Sequence, residues 1–147
     1  MKTRTLVIAG MMALAAVASP RVAQAQEIMK VDVPFDFVAG NRSLPAGEYS
    51  VNVSGPMHTL MLLNRDVSGA SAILGTNAVL AIEPQSQSKL IFNRYGDRYF
   101  LSQVWSEGSP SGRQLQKSAR EKEIAQVAKA ETEGRVTLVA DLPRTNP

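Results

Sequence analysis

The chain contains no cysteine. Disulfide bridges, thiol nucleophiles, thiolate metal centres and a lipid-modified cysteine are therefore excluded, and the fold has to be held by packing. Histidine is almost as scarce. His58 is the single one, so a Ser–His–Asp relay would have to run through that ring, and a metal site would have to be built from carboxylates. No Gly-x-Ser-x-Gly elbow, phosphate-cradling glycine loop or calcium-loop spacing is present. His58 opens an apolar stretch and reads as a turn-edge residue. These absences leave no catalytic residue, no metal ligand and no cofactor site to nominate.

Long apolar runs are also missing beyond residue 25, where nothing reaches the roughly 18 residues a membrane-spanning helix needs. The first 25 residues have a different character. Lys2 and Arg4 form a positive start, Leu6 to Val17 is apolar or small, and Ala23-Gln24-Ala25 has the small residues a signal peptidase reads. Residues 1–25 are expected to be a signal peptide cut after Ala25, and residues 26–147 a single exported domain, periplasmic or extracellular, with no transmembrane anchor after cleavage. Lys2, Arg4 and Arg21 leave with the leader, so 13 cations face 13 acidic residues in what remains. A neutral chain with interspersed signs has no net field to draw it to nucleic acid or to an anionic membrane.

What is present is alternation. Met29, Val31, Val33, Phe35 and Phe37 are apolar with polar or proline residues between them, which predicts a half-buried strand. Pro34 on its wet face places that strand at a sheet edge. Tyr49, Val51 and Val53 repeat the pattern after the turn signals at Gly40-Asn41 and Leu44 to Gly47, and Gly55-Pro56 ends it. The nearly continuous apolar run His58 to Asn64 reads as a more buried strand. Ala70 to Ile82 reads as two short strands, or one bent at Gly75, with a helix as the alternative. Lys89 to Tyr95 and Arg98 to Trp105 flank Gly96-Asp97, the signature of a type II′ hairpin, with Arg94 opposite Tyr99 and Tyr95 opposite Arg98.

Ser106 to Gly112 reads as loop. A charged helix follows, over about residues 117–133, with Ser118 and Glu121 at capping-box spacing and Ile124, Val127 and Ala128 as a narrow apolar stripe. Arg135 to Ala140 is expected to be the last strand, returning to the sheet. The fold class is therefore mainly β: an antiparallel sandwich or small barrel of about six to eight strands with one C-terminal helix.

Two patterns invite chemistry. Asp32 and Asp36 share one strand face, yet four residues of strand separate them by roughly 13 Å, beyond the roughly 5–10 Å of a glycosidase pair. The hairpin residues Arg94, Tyr95, Arg98, Tyr99 and Trp105 could form a stacking surface for a ligand or partner, the arginines lying on aromatic rings. These five are the candidate binding residues. The cations Arg113, Lys117, Arg120 and Lys122 are interleaved with Glu121 and Glu123 and read as a solvated helix face.

The phrases VDVPFDFVAGNRSLPAGEYSV (Val31 to Val51) and KLIFNRYGDRYFLSQVWSEGSPSGRQL (Lys89 to Leu115) resemble small exported β-rich bacterial proteins with no assigned activity. That family often carries His where this chain has Asn93, and Leu-Pro-Lys-Ser where it has Leu115 to Ser118. The resemblance implies a secreted β-rich domain and carries with it no established activity, substrate or cofactor. The functional expectation is an exported, non-catalytic binding or structural protein whose partner is an envelope protein. The alternatives are a β-barrel carrier of a small apolar ligand and, behind it, a secreted hydrolase.

Overall fold

Alternation produces the first strand. Met29, Val31 and Val33 are buried while Asp32 is exposed, so β1 (Glu27–Val33) turns one face to a core. Residues 27–54, 58–128 and 133–140 are described by the computed structural model of the chain. The expected leader, the Gly55-Pro56 break, residues 129–132 of the expected helix and the tail from residue 141 lie outside them.

The strand expected over Met29 to Phe37 is two strands in two sheets. The chain leaves β1 at Val33, crosses through Pro34-Phe35-Asp36, and enters β2 (Phe37–Ala39) in the other layer. Proline cannot donate to a ladder, so pairing stops there. Asp36 Oδ1 holds the crossing by accepting a hydrogen bond from the Ala46 N–H at 2.8 Å. The remaining elements are β3 (Arg42–Leu44), β4 (Gly47–Ser54), β5 (Thr59–Asn64), β6 (Ser71–Gly75), β7 (Asn77–Leu80), β8 (Lys89–Tyr95), β9 (Arg98–Trp105), β10 (Ser111–Gln114), α1 (Ala119–Ala128) and β11 (Glu133–Val139).

One sheet has the order β1-β4-β5-β6 and the other β11-β8-β9-β10-β7, with β2 bridging β9 in parallel at Val38 and Phe100 and β3 beside β2. Neither sheet closes on itself, so the architecture is a sandwich and not a barrel. Eleven strands are described, more than expected, because several are only three or four residues long. The run Ala70 to Ile82 does divide into two strands. Thr76 separates them and donates from both its N–H and its hydroxyl to the His58 carbonyl, at 2.8 and 2.7 Å.

Three other expectations need correction. The stretch His58 to Asn64 is not more buried than its neighbours: Leu60, Leu62 and Asn64 point inward, while Met61 and Leu63 are exposed. The Ser-Gly-Pro segment after Trp105 is not all loop. It contains β10, a strand with no apolar alternation of its own that forms because β9 and β7 supply backbone partners on both sides. The helix spans Ala119–Ala128 where it is described, and the residue it buries is Glu121, not its apolar stripe.

Aromatic rings tie the layers together. Phe37 meets Tyr49 of the opposite sheet edge-on at 5.2 Å and Phe92 of its own at 5.3 Å. Phe92 meets Phe35 at 5.2 Å, and Phe35 stacks on Tyr99 at 3.8 Å. Such pairs contribute about 0.5–1.5 kcal/mol each beyond the area they bury. Tyr49 is fully buried and its hydroxyl donates to the Pro45 carbonyl, 2.5 Å away, fixing the corner where the chain enters β4.

The β8–β9 hairpin forms in the expected register, with Gly96 at φ 61° in the first central turn position. Further along, Ile91 pairs with Gln103 but Phe92 with Leu101, leaving Ser102 as an extra residue. Leu101 and Val104 therefore both reach the sandwich core, whereas Phe100 and Trp105 are buried outside that cluster, against the other face. The Leu115 N–H bonds the Ser102 carbonyl at 2.9 Å.

Gly112 of β10 lies opposite Trp105, so close that a methyl group there would sit 2.6 Å from the indole. Gly112→Ala should cost about 1–3 kcal/mol, the usual range for overpacking. Urea unfolding would measure it, and the emission of Trp105, the only tryptophan, should shift to the red.

Candidate functional site

The two faces of the β8–β9 hairpin divide the five candidate residues. Arg94 and Tyr99 pair on the face turned to the sandwich interior, where the Arg94 guanidinium lies 5.7 Å from the Tyr99 ring centre. The expected cation–π contact is therefore formed. The same ring is stacked on Phe35 at 3.8 Å, so Tyr99 is engaged within the protein and serves as packing. Arg94 Nε also donates to the Gly96 carbonyl at 2.8 Å, fastening it to the turn. Trp105 is buried at the far end of β9, roughly 23 Å along the strand from Arg98, where its Nε1 donates to Gln103 Oε1 at 3.0 Å. Only Tyr95 and Arg98 come together on a surface a ligand could reach.

That surface is made by α1. Ser118 caps the helix, its Oγ accepting from the Glu121 N–H at 3.2 Å. The Glu121 side chain is directed at the sheet. It is 4 % exposed, and its Oε1 accepts from Asn93 Nδ2 at 2.9 Å and from the Tyr95 hydroxyl at 3.2 Å. Asn93 and Tyr95 are two apart in β8 and so share a face. Phe100 packs edge-on against Tyr95 at 5.8 Å beneath the helix. Burial pushes the Tyr95 hydroxyl above its usual 10.0, opposed by a hydrogen bond to Lys117, with the Glu121 carboxylate adding to the rise.

Polar contacts thus dock a helix whose apolar residues are left over. Val127 is 85 % exposed. With Ile124, Ala128, Glu123, Tyr95, Gly96 and Arg98 it lines an open groove of about 560 Å³ between helix and hairpin tip. An aliphatic floor, one cation and one carboxylate at the rim suit an apolar group that also carries a polar end.

The catalytic candidates are placed elsewhere. His58 has a left-handed backbone (φ 51°), and its Nδ1 lies 2.8 Å from Arg113 Nη1, so the imidazole nitrogen there accepts from a permanent cation. Asp36 is committed to the Ala46 amide, and the chain breaks from its strand between Asp32 and Asp36. Among the described residues no three His, Cys, Asp or Glu side chains gather as a metal site, and no helix is long and apolar enough to cross a membrane. Comparison of the chain with protein-family models, curated proteins and solved structures finds no match.

Sequence reading missed Glu121 as an anchor and the groove it creates. The available signal was Asn93, a polar residue between Ile91 and Tyr95 on one face of its strand, which needs a partner if that face is covered.

Two outcomes follow from this chemistry. Glu121→Ala leaves the Asn93 and Tyr95 donors without their acceptor and should cost about 1–3 kcal/mol. Amide exchange over Ala119 to Ala128 should accelerate, and Glu121→Gln, which keeps an acceptor oxygen, should recover most of the protection. The second concerns alkaline pH. Burial raises Tyr49 as well as Tyr95 above 10.0. The folded chain then holds protons that the unfolded chain has released, so stability should fall as pH rises past that value. Denaturant midpoints across the alkaline range would show it, and Tyr49→Phe combined with Tyr95→Phe should flatten the fall.

Proposed function

We propose that this chain is an exported, non-catalytic binding or structural protein of the cell envelope or extracellular space, and that it works through the groove between α1 and the hairpin tip. The observation that carries the reading is the docking of α1 by Glu121 while Val127 remains open to solvent, with the half-buried Ile124 beside it in the groove and Arg98 at the rim. A helix held by a buried carboxylate presents its aliphatic residues to something other than its own sheet. Export is supported by the positive start, apolar run and Ala23-Gln24-Ala25 of the leader. The absence of cysteine is compatible with it, because packing alone accounts for the core.

The groove also keeps the carrier reading alive in an altered form. An apolar ligand would lie on the aliphatic floor at the surface, with its polar end at Arg98, and not inside a barrel.

The test is capture by the tagged protein from its own envelope fraction, with mass spectrometry for both proteins and small molecules. A stoichiometric protein partner lost on Val127→Asp with Arg98→Glu supports the module. A co-purifying small molecule lost with the same pair supports the carrier. Capture unaffected by that pair, with the variant still folded, overturns the groove as the working surface.

A further inference from the structure

The sheet edges are not alike. β1 carries Lys30 and Asp32 and is followed by Pro34, and β11 carries the exposed Arg135; these two strands bound the same side of the sandwich. Charges and proline are what natural edges use to refuse further pairing. Away from them the first sheet ends at β6, and the second at β7 and, through the β2 branch, at β3 with its exposed Arg42; β6 and β7 are consecutive in the chain and joined through Thr76. Between Asp66 and Glu83 no residue is charged and none is proline. Among the described residues β6 pairs only with β5, and β7 only with β10.

The same side exposes large apolar groups. Ile73 at the centre of β6 is 68 % exposed and lies directly opposite the exposed Met61 of β5. Leu80 at the end of β7 is 77 % exposed, and Ile82 just beyond it is fully exposed. Apolar side chains, β-favouring sequence and an uncharged edge coincide in one segment.

We infer that the β6 edge is a pairing surface for a second copy of this chain, joined antiparallel about a two-fold axis at Ile73. Charge decides the occupant. In a two-fold antiparallel pair each residue meets either itself or its mirror position, so any charge at the centre would meet its like. A strand with no charge is the kind that can pair with itself. With the axis at Ile73, Ile73 lies beside Ile73 of the partner subunit, and the outer face carries an unbroken row of Met61, Ile73 and their equivalents. On the inner face Ala72, buried, lies beside Leu74 of the partner subunit, which extends the core across the joint. Each five-residue edge gains backbone partners it lacks within the protomer.

Sedimentation equilibrium on the purified protein, Ile73→Lys and Ile73→Glu tests the proposal. Because Ile73 points outward from the sheet, both variants should keep the circular dichroism spectrum of the parent. The parent should dimerise, and each variant should raise the dissociation constant by about tenfold or more, since like charges meet at the axis. Mixing the two variants should restore the dimer, because opposite charges then face each other. A parent that stays monomeric up to about 1 mM overturns the proposal and leaves the edge to an extended peptide from a different protein. Variants that dimerise as the parent does, or a mixture that fails to recover, overturn it as well.

Discussion

Everything in this fold depends on a line of five aromatic rings running from one sheet to the other: Tyr49, Phe37, Phe92, Phe35 and Tyr99. Two of the five, Phe35 and Phe37, flank the point where the chain changes layers. The residues that make the crossing are therefore also the residues that glue the layers together. In a chain without cysteine no disulfide links the layers, and the rings supply both buried area and the geometry that fixes the spacing. Tyr49 adds a hydrogen bond to its own corner, so the line ends in a turn that cannot swing away.

Outside that core, the molecule uses polar chemistry where an apolar stripe would have been the ordinary solution. The helix is docked by one buried carboxylate with two donors on the sheet. Such a contact is directional, which sets the helix at a defined angle, and it leaves the aliphatic residues free. The groove is a by-product of that choice. Its position at the hairpin tip follows from the turn at Gly96, which brings Tyr95 and Arg98 to the same face.

Much of the fold was legible in the residues. The alternation at Met29 to Val33 and at Tyr49 to Val53, the Gly96-Asp97 turn with its register, and the division of Ala70 to Ile82 all have local causes. A two-residue period or a turn glycine acts within a few residues of itself. What could not be read were the features made by distant parts of the chain. The strand at Ser111 to Gln114 has no intrinsic pattern and exists because two neighbours complete it. The burial of Glu121 depends on Asn93, 28 residues away, and the pattern of helix residues pointed to Ile124 and Val127 instead. The turn sorted Arg94 and Tyr99 from Tyr95 and Arg98, but the side taken by Trp105 required the extra residue at Ser102.

That extra residue has a wider meaning. Leu101 and Val104 are separated by an odd count, so a regular strand could not send both to the same layer; Ser102 inverts the parity of everything after it. The bulge at this one point, and not side-chain type, assigns Trp105 to the outer layer. Were Ser102 drawn into the ladder as a regular residue, the same hydrophobic word would be spelled with its letters turned inside out, burying Gln103 among the core rings and evicting Val104. The orientation of half a strand thus rests on a small serine staying out of the ladder, and a chain lacking that one residue would keep every other pair in place.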